Sequence, residues 1–139
     1  MKQILLLLLV FTASLAACQH PSDQQSTDST SVAAVGATAI NEVLSVNAFE
    51  AKLVASPGIQ LVDVRTPQEF SDGHIKGAVN INFYDDNFTQ QLEQALDKSQ
   101  PVMIYCRSGK RSGKAAQRMA SLGFQEVYDL KGGYLAWPK

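Results

Sequence analysis

Cys106 stands at the end of an apolar run, Val102-Met103-Ile104-Tyr105, and is followed by Arg107-Ser108-Gly109-Lys110-Arg111-Ser112-Gly113. A buried strand would deliver this cysteine to the carboxyl edge of a sheet, where open α/β folds bind ligands. A short loop with one glycine can turn successive N–H groups inward as an anion cradle. A helix opening near Ser112 would add the partial positive charge of its N-terminus. Five cations, Arg107, Lys110, Arg111, Lys114 and Arg118, fall within 12 residues, and no acidic residue occurs from Cys106 to Gln125. Such a setting lowers a thiol pKa from about 8.5 to roughly 3.5–7.5 and makes the thiolate a ready nucleophile. A buried structural cysteine at a strand end is the plain alternative, and the cationic cluster weighs against it. A cationic helix face by itself is a solvated face, so Lys114 and Arg118 are not counted as site residues.

The elements that must position this loop alternate. Val43 to Val46 is a short strand candidate. Asn47 can cap a helix with Glu50 as capping-box partner, and Phe49, Leu53 and Val54 give that helix an apolar face ended by Pro57-Gly58. Ile59 to Val64 reads as a buried strand. Thr66-Pro67-Gln68-Glu69-Phe70 reads as a capped short helix with proline at its first position. Gly73 and Gly77 bracket a turn before a short strand, Ala78 to Ile81. Phe88 to Leu96 has helical spacing, with apolar residues at 88, 92, 95 and 96. Val102 to Tyr105 is a strand and Ser112 to Leu122 a helix, with Gly123 just past its end. Glu126 to Leu130 is a last strand, broken by Gly132-Gly133. Strands alternating with helices predict an α/β fold, a mostly parallel sheet with helices on both faces.

The first residues read as an address. Lys2 precedes an apolar run from Ile4 to Phe11, shorter than the about 20 residues of a membrane span and placed as the core of a secretory signal. Leu15-Ala16-Ala17-Cys18 resembles the lipobox of bacterial lipoproteins, in which the chain is cleaved before the cysteine and its sulfur is lipidated. The alternative is ordinary cleavage after Ala16 or Ala17, leaving Cys18 a free thiol. Residues 1–17 are expected to be a signal peptide, 18–41 a lipidated cysteine and flexible tether, and 42–139 the folded domain. The Gln, Ser, Thr, Asp, His and Pro residues after Cys18 cannot bury a core; a tether of this length would span roughly 25 Å r.m.s.. His20 lies within it and is expected to be inert. Gln19, where such lipoproteins carry Asp for inner-membrane retention, points to an outer membrane facing the periplasm in an organism that has one.

Composition bounds the rest. The 139 residues carry 12 Lys+Arg against 13 Asp+Glu, a net charge of −1. That gives no global case for nucleic-acid binding. Two cysteines cannot build a disulfide-rich scaffold, and the length suits one domain.

Cys-Arg-Ser-Gly-Lys-Arg-Ser at 106–112 closely resembles the active-site loop of the rhodanese sulfurtransferases. Leu61-Val62-Asp63-Val64-Arg65, then Glu69-Phe70, then Gly73-His74-Ile75-Lys76-Gly77-Ala78-Val79-Asn80 is similar to that family's upstream signature. Tyr128-Asp129-Leu130-Lys131-Gly132-Gly133-Tyr134, ending in Ala136-Trp137, is similar to its C-terminal one. The resemblance implies a rhodanese-like domain over about residues 42–139 and sulfur transfer without metal or organic cofactor. Cys106 carries over as the nucleophile that becomes a persulfide. Residues 107–112 carry over as the cradle for an anionic donor such as thiosulfate, with cyanide or a thiol as acceptor. Asp63, Arg65 and Glu69 are expected to support the site, Arg65 and Glu69 as an ion pair and Asp63 by bonding backbone amides. His74 is expected to be exposed or to pack, and no general base is expected. A tethered monomer is the default.

Two other classes stay in view. The same fold resembles that of cell-cycle dual-specificity phosphatases, which also use a cradle cysteine but place Arg at the sixth position after it. Here the sixth is Ser112 and Arg111 is the fifth, one residue short for phosphatase or arsenate reductase chemistry. A persulfide carrier or a sulfur- or redox-sensing module is the third reading, since a low-pKa thiol is also open to oxidation.

Overall fold

The structure is a computed structural model, and it describes residues 39–138. The expected signal peptide, Cys18 and nearly all of the tether lie outside the described residues. Five strands form one parallel sheet: β1 (Ile40–Leu44), β2 (Gln60–Asp63), β3 (Val79–Asn80), β4 (Val102–Tyr105) and β5 (Glu126–Leu130). Their spatial order is β1-β5-β4-β2-β3, with every neighbouring pair parallel. The central strand β4 is buried at all four positions, which is why its sequence is apolar without alternation.

Helices cover both faces, as expected. On one face α3 (Phe88–Ala95) and α4 (Lys110–Ser121) bury Phe88, Leu92, Ala115, Ala116 and Met119 against Val62, Ile104 and Val127. On the other, α1 (Val46–Ala55) and the 3-10 turn Gly133–Leu135 enclose Phe49, Met103, Tyr105 and Leu130, with Tyr134 and Trp137 packed against them. The short α2 (Pro67–Ser71) is capped by Thr66 as expected, and the cap is a full capping box, Thr66 accepting from the Glu69 amide while the Glu69 carboxylate accepts from the Thr66 amide.

Three elements start two residues or more from where they were expected. β1 starts at Ile40 rather than Val43. The N-cap of α1 is Ser45, whose hydroxyl accepts from the Ala48 amide at 3.3 Å, not Asn47. Starting there puts Val46, Phe49 and Leu53 on the buried side and leaves Val54 77% exposed. α4 starts at Lys110, two residues before Ser112, because Gly109 takes a left-handed conformation (φ +94°) and turns the chain straight into the helix. Among the described residues no helix is long and apolar enough to cross a membrane.

Candidate active site

β4 ends at Tyr105, and the next residue, Cys106, is buried (1% exposed) and carries a free thiol. What shapes the loop lies beneath it. The Tyr134 amide donates to the Cys106 carbonyl at 2.8 Å and the Leu135 amide to the Arg107 carbonyl at 3.0 Å. With those two carbonyls drawn toward the 3-10 turn, the amides that follow face the sulfur. Gly109 N donates to Cys106 Sγ at 3.1 Å and the Ser112 hydroxyl reaches the same atom at 3.4 Å; the amides of Ser108 and Ser112 contribute as well. Burial opposes ionisation of this thiol, but the bonds from Ser112, Ser108 and Gly109 outweigh it and hold Cys106 below the ordinary thiol range. Gly133 makes the close approach possible: a β-carbon there would collide with the backbone of Cys106 and Arg107.

The anticipated Arg65–Glu69 pair does not form. Arg65 is 4% exposed and Asp63 0%, and the two bind each other: Arg65 Nε lies 2.9 Å from both carboxylate oxygens and an Nη donates to Oδ2. Asp63 Oδ1 also accepts the Arg65 amide at 2.9 Å, the backbone bond expected of it. Arg65 continues to the Gly73 carbonyl (2.7 Å) and lies 4.2 Å over the Tyr134 ring, bracing the segment under the cradle.

Glu69 instead takes Arg111, two bonds of 2.7 Å. That pairing, with the Thr66 contacts, holds the Glu69 carboxyl down at about 2 against the opposing effect of burial. Arg111 is thus fixed at the rim. Arg107, Ser108 and Lys110 have exposed side chains. The polar groups that touch the sulfur come from the backbone and Ser112. His74 is exposed, stacked on Phe70 at 3.8 Å with Nδ1 at 3.0 Å from the Phe70 carbonyl, so its ring packs on the end of α2.

Two depressions flank the loop. One of about 210 Å³ lies between Arg107, Leu135 and Asp72. The other, about 350 Å³, is walled by Phe83 and Tyr84 and lined by Lys110, Arg111 and Lys114, so Lys114 borders the site although its sequence context read as a solvated face. A cavity of about 390 Å³ lies at the opposite strand ends, near Ile59, Gln60 and Pro101, away from Cys106. Among the described residues no three His, Cys, Asp or Glu side chains are placed to hold a metal. Sequence reasoning missed Asp129 as a site residue. It is a 3% exposed acid in the β5 run, its carboxylate lying against Gly113 in the first turn of α4, and its signal was an acidic residue inside an apolar strand.

The arrangement sets a buried cysteine, its pKa lowered, against the Gly109 amide and the Ser112 hydroxyl at the start of a helix. Comparisons with known proteins point to one family. The Rhodanese-like domain family matches residues 45–139. "Uncharacterized protein YqhL" of Bacillus subtilis is 44% identical over 56% of this chain, and the match spans 60% of that protein. "Thiosulfate sulfurtransferase GlpE" of Shewanella oneidensis is 38% identical over 68% of this chain and 89% of its own length. A crystal structure of a rhodanese-like domain protein from Staphylococcus aureus superposes with a TM-score of 0.62 at 28% identity, covering 70% of this chain and 92% of that one.

Proposed function

This chain belongs to the rhodanese-like domain family, and from that premise we propose that it moves sulfane sulfur from an anionic donor such as thiosulfate to a thiol or cyanide through a persulfide on Cys106. The thiolate attacks the outer sulfur of thiosulfate. The donor's S–S bond breaks and sulfite departs with the electron pair, leaving Cys106 with a terminal S⁻. An acceptor thiolate or cyanide then attacks that terminal sulfur, and the Cys106 thiolate leaves. One difficult transfer becomes two displacements, each passing charge between sulfurs that fixed N–H dipoles oppose without reorganising. The carrying observation is the Gly109 amide and the Ser112 hydroxyl converging on one buried sulfur. Treatment with thiosulfate is expected to add one sulfur, roughly 32 Da, to Cys106. Intact-mass spectra without that adduct for any sulfane donor overturn the proposal. The phosphatase reading needs an arginine free to grip a phosphoryl group, and Arg111 is already held at both ends of its guanidinium by Glu69. A carrier or sensor would form the persulfide but not turn over with acceptor, which separates it from an enzyme.

We also propose that the chain is exported and anchored through Cys18, facing the periplasm from the outer membrane where one exists. The support is the Leu15-Ala16-Ala17-Cys18 segment behind its apolar run. A Cys18→Ser variant that is still processed and still fractionates with membranes would sink this.

A further inference from the structure

The depression beside Phe83 and Tyr84 is aromatic on one wall and cationic on the other, where α4 contributes Lys110, Arg111 and Lys114. Arg111, Lys114 and Arg118 are spaced by three and four residues, so they share a face of the helix. Two of the three are engaged. Arg111 is held at both ends of its guanidinium by Glu69, and Arg118 lies 5.6 Å from the ring centres of both Phe83 and Phe88. Lys114 stands between them, exposed. Among the described residues neither it nor Lys110 has a carboxylate partner.

The aromatic wall is fixed in place. Phe88 is fully buried, and Phe83 meets it edge to face at 5.3 Å while donating its amide to the Val64 carbonyl at 3.2 Å. Tyr84 stands edge-on to Phe83 at 5.8 Å, with the Arg111 guanidinium 5.5 Å from its ring, yet it is 65% exposed. Asp85, next in sequence, turns its carboxylate to the side-chain amides of Asn82 and Gln91. The smaller depression on the other side of the loop is lined by two acids, Glu69 and Asp72, and suits an anion less.

Position decides what the larger depression can serve. Lys110 follows Gly109, whose amide touches Cys106 Sγ. Lys114 is four residues on, about 6 Å further along the helix. A molecule seated there has one end at the cradle and the other against a free ammonium. Its volume of about 350 Å³ is of the size that small organic ligands occupy, and thiosulfate has no apolar part to use the aromatic wall.

We infer that this depression is the acceptor subsite, and that its acceptor is a small organic thiol whose apolar body carries a carboxylate. The carboxylate pairs with Lys114, the body lies against Tyr84, and the sulfur reaches the cradle. The inference rests on the sulfurtransferase reading. The acceptor thiol, its proton lost to solvent, attacks the terminal sulfur of the Cys106 persulfide. A new S–S bond forms, the bond to Cys106 Sγ breaks, and Cys106 keeps the electron pair as a thiolate. The product is the persulfide of the carboxylate thiol.

The test loads full-length protein with sulfur from thiosulfate, removes the donor, and discharges it with mercaptopropionate or with mercaptoethanol, following loss of the added sulfur by intact mass. Every protein meets the same two thiols, so their intrinsic reactivity cancels and the ratio of their rate constants is the readout. Lys114→Gln is expected to lower that ratio about five-fold at low salt, the reach of one exposed ion pair. Lys52→Gln removes the same charge at the opposite strand ends and is expected to leave the ratio alone. An unchanged ratio in Lys114→Gln overturns the inference, as does an equal fall in Lys52→Gln. Mercaptohexanoate, with a longer apolar body, is expected to discharge wild type several-fold faster than mercaptopropionate and to lose that advantage in Tyr84→Ala. An advantage absent from wild type, or kept in Tyr84→Ala, overturns the part given to the aromatic wall. Should no persulfide form, the sulfurtransferase reading fails and the subsite is read by itself. Methylthiohexanoate, which has no thiol to react, is expected to shift the amide NMR signals of Tyr84 and Lys114 in wild type and less so in Lys114→Gln. Signals that stay in place overturn the inference whatever the persulfide result.

Discussion

Glu69 grips Arg111 with both carboxylate oxygens, each 2.7 Å from a guanidinium nitrogen, and so ties the first turn of α2 to the first turn of α4. The same carboxylate closes the Thr66 capping box. Glu69→Gln keeps the shape and loses the charge. A partly exposed ion pair contributes modestly, so unfolding stability is expected to fall by about 1 kcal/mol at neutral pH. For a domain of this size that is a drop in Tm of roughly 4–8 °C. The acid dependence has a definite sign. Glu69 is held at about 2, below its ordinary 4.5, so its contribution is complete above 4.5 and disappears as pH falls toward 2. Denaturant midpoints of wild type and variant should converge across that window. Curves that stay parallel through it remove Glu69 as the cause.

That pairing also marks where the sequence was legible. The apolar run of β4, the Thr66-Pro67 start of α2 and the loop around Cys106 announce themselves because each is local: burial on both faces, a cap, a glycine. Arg65 and Glu69 are four apart, a spacing that brings side chains together only inside a helix. Arg65 precedes the cap of α2, at a bend just past β2, where its amide and its guanidinium both fold back onto the Asp63 carboxylate. The start of α1 was ambiguous because Ser45 and Asn47 both cap well, and the packing of Val46 and Phe49 decides between them. The approach of the Asp129 carboxylate on β5 to Gly113 on α4 is settled by tertiary packing alone.

Breaking the Arg65–Asp63 pair should be severe. Both side chains are buried, so Arg65→Ala leaves a carboxylate with no counter-charge, a loss of about 3–5 kcal/mol. Arg65→Lys is expected to rescue little. An ammonium cannot reproduce the fork to Asp63 while also reaching the Gly73 carbonyl and lying flat over Tyr134. Urea unfolding of the two variants checks this, and a Lys variant as stable as wild type would show that charge alone suffices.

Gly133 and Gly123 separate strain from collision. Both have positive φ, +61° and +89°. A β-carbon at Gly123 meets open space, whereas at Gly133 it would lie 2.8 Å from the Arg107 carbonyl oxygen and press on Cys106 as well. Gly123→Ala is expected to cost about 1 kcal/mol, the backbone penalty alone. Gly133→Ala should cost about 2–4 kcal/mol and, by pushing the Cys106 and Arg107 carbonyls off the Tyr134 and Leu135 amides, raise the thiol pKa toward its ordinary value. Thermal melts and alkylation rates at mildly acidic pH report the two effects. Equal rates in both variants would mean the 3-10 turn does not shape the cradle.

The exposed cations should act on encounter, not on chemistry. Lys110 is exposed at the opening turn of α4, beside the depression that meets the loop. Thiosulfate is a dianion, so cations at the mouth raise its local concentration, an effect that salt screens over a Debye length of about 8 Å at physiological ionic strength. The amides on Cys106 Sγ are buried and little screened. Lys110→Ala is therefore expected to lower kcat/KM for thiosulfate several-fold at low salt through KM, with kcat and Tm nearly unchanged. The difference from wild type should shrink as salt rises. Iodoacetamide, which is neutral, should react with Cys106 at the same rate in both proteins. A drop in kcat, or a deficit that persists at high salt, would place Lys110 in contact with the reacting sulfurs instead of at the approach to them.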